Sequence, residues 1–310
     1  MVSFANRWVR IKKITWYGFS YVVIGLLSLF PKFLLEPMVY ALAATAYLLS
    51  SKKRRLALVQ LQETFGATET EAGIKTILKN HFYHIILFSV EFFQIRRWSE
   101  EKIRSRVRVE GLENFQHAVD KNKGVILVTA HFGNFPLMAI AGSLLVGPVT
   151  FMMNPNLDPG LRSLIQKGMT RFGNRALFRG DAVDKIEKIL DKKETICLLM
   201  DQQGKEEHLV EARFLGKRFR FNSGAAFLSL RFGAPVVPVY NYRHKDGTYE
   251  IRYGHPILDT NIDPVIRTLE ASIREAPDHW LFWGWKGFAV DFATREERVE
   301  LPSKGRTCQT

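Results

Sequence analysis

Short apolar runs that alternate with helical stretches constrain the fold of this chain more than any other feature of its sequence. Residues 124–130 (GVILVTA) are almost wholly apolar, and residues 195–200 (TICLLM) repeat the pattern. Strands without polar alternation are typical of parallel sheets that helices cover on both faces. These runs therefore predict an α/β fold.

The same alternation continues from residue 105 almost to the C-terminus. Further strands are predicted at residues 107–109, 148–153, 236–242 and 249–253, and helices at 161–172, 183–190 and 225–232. We expect a mixed, mostly parallel sheet flanked by helices. The predicted domains are an N-terminal membrane anchor and helical region (1–100), an α/β catalytic domain (101–295) and a flexible tail (296–310).

Basic residues are concentrated near the N-terminus. The formal net charge of +13 indicates an anionic partner, which could be a nucleic acid, an acidic protein or an anionic membrane. Residues 1–60 contain one acid, Glu36, and the basic residues Arg7, Arg10, Lys12, Lys13, Lys32, Lys52, Lys53, Arg54 and Arg55. These charges flank apolar residues 14–30 and 33–50, which favours a membrane surface. Basic residues interleaved with stacking aromatics are absent from the sequence, which argues against nucleic acid.

Residues 14–30 predict an N-terminal membrane anchor. A spanning helix needs about 20 apolar residues, so this run is just long enough to span a bilayer or to lie in its interface. No small-residue cleavage pattern follows, which argues against a signal peptide. Basic residues on both sides suit a hairpin or an in-plane helix at the cytoplasmic face. The alternative is that residues 14–50 form buried helices of a soluble domain.

Residues 56–98 are predicted to be helical, because apolar residues recur there at three-to-four spacing. His81 and His84 lie in this stretch, and without a second cluster of ligands we interpret them as polar helix residues and predict no metal site. Cys197 and Cys308 are the two cysteines, so the sequence contains neither a disulfide framework nor a CxxC pair. A reducing compartment fits this cysteine usage.

Two predicted strands end in polar side chains. His131 directly follows the apolar run 124–130, and Asp201 directly follows the run 195–200. Ligands bind at the carboxyl ends of the strands of parallel sheets, and a histidine placed there can act as a general base. A histidine at a strand end can equally be structural, and Asp-Gln before glycine is a common turn. On one sheet, the two residues predict a site without naming a substrate.

Several short motifs in one order give the chain a family resemblance. They are His131-Phe-Gly-Asn, Asn154-Pro with Arg171, Asp201-Gln202, Phe214-Leu-Gly216 with Gly224-Ala-Ala, Gly233-Ala-Pro-Val-Val-Pro238, and Pro277-Asp-His-Trp280-Leu-Phe-Trp283. In this order, over more than 200 residues, the chain resembles the lipid A biosynthesis acyltransferases, which include lauroyl and myristoyl transferases. They belong to a superfamily of lysophospholipid acyltransferase-like proteins with a glycerolipid acyltransferase-like fold.

The resemblance implies an enzyme of the cell inner membrane that faces the cytoplasm. It would transfer an acyl chain from acyl carrier protein to a hydroxyl group of an anionic glycolipid, with no further cofactor. His131 would then be the catalytic base, and Asp201 its partner or a pocket acid. The implied substrate-binding residues are Phe132, Gly133, Asn134, Arg171, Gln202, Gly216 and Gly224, with Gly133 and Asn134 as possible donors to the oxyanion and Arg171 as a contact for phosphate.

Two positions depart from the family pattern. The family has Asp or Glu five residues after the histidine, where this chain has Pro136, and it has His and Arg at the position of Gly284-Trp285-Lys286. Either another carboxylate orients His131, with Asp201 the first candidate, or the base works without one, or transferase activity is lost. The alternatives are therefore a different membrane-lipid acceptor, or a non-catalytic member that binds lipid or carrier protein.

Overall fold

The computed structural model describes residues 22–178, 182–202, 209–258 and 262–285. Residues 22–27 are helical. The helices that follow are α1 (Lys32–Leu49), α2 (Ser51–Phe65), α3 (Glu71–Ile95), α4 (Glu100–Arg106), α5 (Leu112–Val119), α6 (Phe135–Leu145), α7 (Pro159–Met169), α8 (Ala182–Asp191), α9 (Gly224–Phe232) and α10 (Asp263–Glu275), with a 3-10 turn at Pro277–His279. The strands are β1 (Val107–Glu110), β2 (Val125–Thr129), β3 (Val149–Met153), β4 (Arg175–Phe178), β5 (Thr195–Leu199), β6 (Leu209–Phe214), β7 (Lys217–Asn222), β8 (Val236–Arg243) and β9 (Tyr249–Tyr253).

Seven of these strands form one mixed sheet in the order β1-β9-β8-β2-β5-β3-β4. Every neighbouring pair is parallel except the hairpin β8–β9. The prediction of a mixed, mostly parallel sheet flanked by helices is therefore confirmed.

Strand β2 shows why its sequence is apolar throughout. Ile126 and Val128 point into one hydrophobic core, and Val125 and Leu127 point into a second core on the other side of the sheet. Helices α2, α3, α8, α9 and α10 contribute side chains to the first core. The second core receives side chains from the C-terminal end of α3 and from α4, α5 and α6. Both faces of the central strand are thus covered, which removes any need for polar alternation.

Strand β4 and the hairpin β6–β7 were not among the predicted strands. β4 is a four-residue edge strand, and β6 and β7 pair antiparallel in a separate two-stranded sheet. The outer face of the hairpin carries exposed charged side chains, so its apolar signal is half that of a central strand. A pattern search for buried strands misses such elements.

The N-terminal helices of the described region pack onto the α/β layers. Leu61 of α2 and Leu78 of α3 belong to the same core as Val128 of the sheet. The predicted division at residue 100 thus runs through a shared core, and the division stays a prediction. Residues 1–21 and 296–310, which carry part of the predicted anchor and the predicted tail, lie outside the described residues.

One helix among the described residues is long and apolar enough to cross a membrane. This is α1, with a mean hydropathy of 1.3 and 17% of its residues buried. It lies in the second apolar run of the sequence, residues 33–50. Residues 14–21 of the first run lie outside the described part of the chain.

Candidate active site

His131 and Asp201 meet at the carboxyl ends of neighbouring parallel strands. β2 pairs with β5 so that Thr129 lies opposite Leu199, and each polar residue follows its strand by two positions. Nδ1 of His131 lies 2.9 Å from Oδ1 of Asp201. The strand register alone therefore brings together two residues that are 70 positions apart.

The Asp201 carboxylate accepts three hydrogen bonds. Besides the ring of His131, the backbone amide of His131 donates to Oδ2 at 2.8 Å and the indole Nε1 of Trp280 donates to the same oxygen at 3.0 Å. The side chain of Asp201 is 0% exposed. A buried carboxylate is costly unless it is hydrogen-bonded, and here both oxygens have donors.

These contacts fix the orientation of the His131 ring. A carboxylate only accepts hydrogen bonds, so the imidazole proton lies on Nδ1 and Nε2 keeps its lone pair. No described residue hydrogen-bonds to Nε2, and the side chain is 19% exposed. The ring lies between Phe135 and Phe282, at centroid distances of 5.1 and 4.7 Å. The arrangement gives a partly exposed base in an apolar slot, oriented by a buried carboxylate.

Gly133 is required by the turn that follows His131. Its φ is +55°, and a Cβ atom there would lie 1.9 Å from the carbonyl oxygen of Asn241. Only glycine fits so close to another backbone at a positive φ. Its amide donates to the carbonyl of His279 at 2.9 Å, which ties the turn to the segment that carries Trp280.

Asn134 connects the turn to helix α3. Its side-chain oxygen caps α6 by accepting from Leu137 N, and its side-chain amide donates to Oε2 of Glu91 at 3.1 Å. Oε1 of Glu91 forms a buried ion pair with Nε of Arg243 at 2.9 Å. Burial disfavours the charged guanidinium, but Glu91 together with the nearby Tyr249 and Tyr83 more than offsets this, so the pKa of Arg243 lies above its ordinary value.

The predicted oxyanion donors have protein acceptors in this structure. The Gly133 amide donates to His279, the Asn134 amide donates to Oδ1 of Asn241 at 3.2 Å, and the Asn134 side chain donates to Glu91. A role for Gly133 and Asn134 at a developing oxyanion would require one of these bonds to exchange, and it stays a prediction.

Pro136, which replaces the family's acid, lies buried in the first turn of α6. Proline fits there because the first amides of a helix have no partner within the helix. The side chain has no hydrogen-bonding atom, so the contact to Nδ1 of His131 comes from Asp201 instead. The described structure thus supplies a carboxylate that the local sequence motif lacks.

Arg171 follows α7 in the sequence, and its side chain contacts the C-terminal end of α3. Its Nη1 donates to the carbonyl oxygens of Ile95, Arg96 and Trp98, the last at 2.6 Å. A cation is favoured at this end of a helix, where carbonyl groups lack partners within the helix. The predicted contact of Arg171 with phosphate stays a prediction, and in this structure its guanidinium caps a helix.

The other predicted substrate-binding residues occupy different surroundings. Phe132 is 1% exposed and packs on Tyr242 and His279, whereas Gln202 directly follows Asp201 and is half-buried. Gly216 forms the β6–β7 turn at a φ of +81°, and Gly224 begins α9. Their predicted substrate contacts are not tested by these positions.

Three side chains near the site could in principle hold a metal ion. His84, Asp278 and His279 have ligand atoms within 4.8 Å of one another. The Arg243 amide donates to Nε2 of His279, so the ring proton lies on Nδ1 and points at Asp278, 3.0 Å away. That nitrogen is therefore a donor rather than a free ligand, and these hydrogen bonds explain the cluster without an ion.

Sequence reasoning missed the neighbours that hold His131 and Asn134 in place. Trp280 was recognised within a motif but without its bond to Asp201, and Glu91, Asn241 and Arg243 were not singled out. Glu91 did leave a signal, because it is the one charged residue within residues 80–95. A carboxylate in an apolar helix is expected to have a buried partner.

Comparisons with known proteins agree with the resemblance described above. Residues 6–285 match the family model described as "Bacterial lipid A biosynthesis acyltransferase". A Haemophilus influenzae protein named lipid A biosynthesis acyltransferase is 24% identical over 242 residues, which cover 75% of each chain. An Escherichia coli lipid A biosynthesis palmitoleoyltransferase is 24% identical over 280 residues, which cover 87% of this chain and 89% of the relative.

Proposed function

The chain belongs to the bacterial lipid A biosynthesis acyltransferase family, and from that premise we propose that it is an acyltransferase acting on a lipid A precursor or a related glycolipid. The acyl donor in this proposal is acyl carrier protein, and the acceptor is a hydroxyl group of the glycolipid. The single observation that carries the proposal is the buried Asp201 carboxylate 2.9 Å from Nδ1 of His131.

The chemistry proceeds through His131 as general base. Nε2 takes the proton of the acceptor hydroxyl while the hydroxyl oxygen attacks the thioester carbonyl, and a C–O bond forms. The C–S bond then breaks, and the same proton passes from Nε2 to the leaving thiolate. The Asp201 carboxylate stabilises the imidazolium that exists between the two transfers, as in other carboxylate-oriented histidines.

The Asp201 contact favours an active enzyme over the non-catalytic alternative. That alternative rests on Pro136, which cannot orient a histidine. Asp201 accepts from the backbone amide of the same histidine as well as from its ring, so it holds both the position and the tautomer of the base. The proposed mechanism therefore uses Asp201 as the ring partner in place of an acid five residues after His131.

The charge of the chain supports the proposed partners and location. Acyl carrier proteins and lipid A precursors are both acidic, and a net charge of +13 attracts both to the protein. The apolar helix α1 is the anchor candidate among the described residues. We place the enzyme at the cytoplasmic face of the inner membrane, where a carrier-bound acyl chain and an anionic lipid acceptor meet.

The proposal is tested by incubating the purified chain with labelled acyl carrier thioester and a lipid A precursor. We expect labelled lipid with the natural chain, and at least a 1000-fold lower rate with His131→Ala, because the base is lost. Equal labelling by His131→Ala would refute the assignment of the base.

The same assay separates the alternatives. If the natural chain is inactive while Pro136→Glu turns over, the non-catalytic alternative is correct and Asp201 does not replace the missing acid. A different acceptor would show in the lipids of cells lacking the gene, as unchanged lipid A together with an altered lipid of another class.

A further inference from the structure

Exposed apolar side chains are concentrated in residues 22–49. Eleven of the nineteen large hydrophobic side chains exposed in the described part of the chain lie there, and the four most exposed of these are Leu29, Phe33, Leu48 and Leu49, at 64, 74, 69 and 79%. Exposed apolar side chains concentrated in one segment are typical of an interaction site.

Helix α1 has one buried side and one exposed side. Leu35 and Val39 pack against Leu87 and Val90 of α3. The opposite side carries residues 34, 41 and 48, which follow one another at intervals of two turns and are all exposed. A helix in water exposes charged residues on its outer side, but the residues of α1 after Lys32 include a single charged residue, Glu36.

The helix also lies along the α/β layers rather than standing away from them. Lys32 at its first turn donates from Nζ to the carbonyl of Asp246 in the β8–β9 turn, and Tyr47 in its last turn packs edge-on against Phe82 of α3. Phe82 itself belongs to the core beneath the sheet. Both ends of α1 are thus held against the body of the protein.

This packing determines how α1 can meet a bilayer. The helix has 18 residues and is about 27 Å long, close to the roughly 30 Å thickness of the hydrocarbon core. If it crossed the bilayer, the β8–β9 turn at one end and the helices packed along its length would enter the hydrocarbon with it. Lying parallel to the surface, the helix immerses only its exposed apolar side.

Basic side chains next to α1 define the chemistry of the surface it meets. Lys52, Lys53 and Arg55 are exposed in the first turns of α2, directly after α1 ends. Cations beside an apolar helical face are characteristic of binding to the interface of an anionic membrane.

We propose that the exposed side of residues 22–49, here called the membrane face, binds the surface of an anionic phospholipid bilayer with α1 parallel to the membrane plane. This deepens the membrane association within the proposed function. It would place the α/β layers on the surface of one leaflet, with α3 between the membrane face and the turn that follows His131.

Spin-label depth measurements test this orientation in the full chain. We would place single cysteines at Leu34→Cys, Ala41→Cys and Leu48→Cys in a Cys308→Ser background. Cys197 stays in place, because burial raises its thiol pKa to about 12 and makes it react slowly. The background variant alone measures any label at Cys197, and Lys121→Cys, exposed on the α/β layers, is the water-facing control.

The labelled chain is bound to phosphatidylglycerol–phosphatidylethanolamine vesicles, and depth is read from collisions with oxygen and a nickel chelate. We expect residues 34, 41 and 48 at one shallow depth, within about 5 Å of each other, because a helix in the plane has no gradient. A spanning helix would separate residues 34 and 48 by about 21 Å and put residue 41 deepest, which would overturn the proposal.

Two other results would also overturn it. Labels that stay accessible to the nickel chelate with vesicles would mean no membrane contact. Labels already protected without vesicles would mean that another segment or a second copy covers the face. The depth measurement does not require turnover. A chain that is inactive but gives three equal depths would therefore refute the proposed transferase function and leave the proposed membrane orientation intact.

The lipid preference is tested separately by flotation with anionic and neutral vesicles. We expect a Lys52→Gln, Lys53→Gln, Arg55→Gln variant to bind anionic vesicles about 100-fold more weakly, at roughly fivefold per charge. Equal binding of the natural chain to both kinds of vesicle would refute the anionic partner.

Discussion

At the scale of single residues, Asp201 organises the candidate site. One buried carboxylate holds the backbone and the ring of His131 and the indole of Trp280. Charge-assisted hydrogen bonds of this kind are about twice as strong as neutral ones. The chain has proline at position 136, and the carboxylate next to the ring of His131 comes from the end of the neighbouring strand.

Trp280→Phe should lower the transfer rate about tenfold, because Asp201 loses one donor while most of the ring packing is kept. The matched control is Trp283→Phe, since Trp283 is also buried but donates to the carbonyl of Pro277 instead. We expect this control to stay within about twofold of the natural rate at saturating substrate. Equal losses in both variants would show that the indole of Trp280 acts through packing alone.

At the scale of elements, helix α3 is fastened to strand β8 by a buried ion pair. Glu91 and Arg243 have side chains that are 8 and 11% exposed, and Glu91 also accepts from Asn134. The gain from such a pair is offset by desolvation, but removing one partner leaves a buried charge without compensation. The pair therefore makes the position of α3 dependent on the strand that carries Arg243.

Glu91→Gln should lower the free energy of unfolding by about 3 kcal/mol. The double variant with Arg243→Gln should lose less than the sum of the two single variants, because no buried charge is left over. Urea unfolding in detergent measures all three. Glu71→Gln removes the exposed pair with Lys75 and should cause no measurable change. Additive losses would mean that Glu91 and Arg243 are not coupled.

The sequence predicted the elements whose burial leaves a simple pattern. β2 and β5 are covered on both faces and are apolar throughout, whereas the hairpin β6–β7 exposes one face and was missed. The same reasoning placed His131 and Asp201 at one edge of the sheet, because parallel strands align their ends. The contacts of Glu91 depend on how a helix packs across the sheet, which local periodicity does not determine.

At the scale of the whole molecule, stability depends on histidines that are buried without charge. Burial lowers the pKa of His81 to about 4 and that of His84 to about 3, and for His84 the neighbouring His279 adds to the effect. In the unfolded chain both would titrate near pH 6.5. The unfolded state therefore binds more protons below pH 6.5, and stability present above that pH is lost as the pH falls.

Between pH 7 and pH 5 His81 should account for about 2 kcal/mol of lost unfolding free energy. His81→Gln removes this contribution, so its unfolding free energy should fall less steeply with pH than that of the natural chain. Urea titrations at the two pH values give both slopes. Identical slopes would mean that His81 is not held neutral by burial.

The proposed membrane orientation also relates the membrane face to the candidate active site. The membrane face and the basic residues after α1 would bring the protein to an anionic surface, and α3 links that surface to the turn after His131. Within this proposal, the net charge of +13 favours contact with an anionic membrane surface.

The central claim is that His131 and Asp201 act as one catalytic unit, and a double-variant cycle on the transfer rate tests it most directly. Asp201→Asn and His131→Ala should each lower the rate at saturating substrate about 1000-fold or more, and the double variant should be no slower than the worse single variant, because residues that act as a unit are not additive. Multiplying losses in the double variant, or an Asp201→Asn rate within tenfold of the natural chain, would contradict the claim.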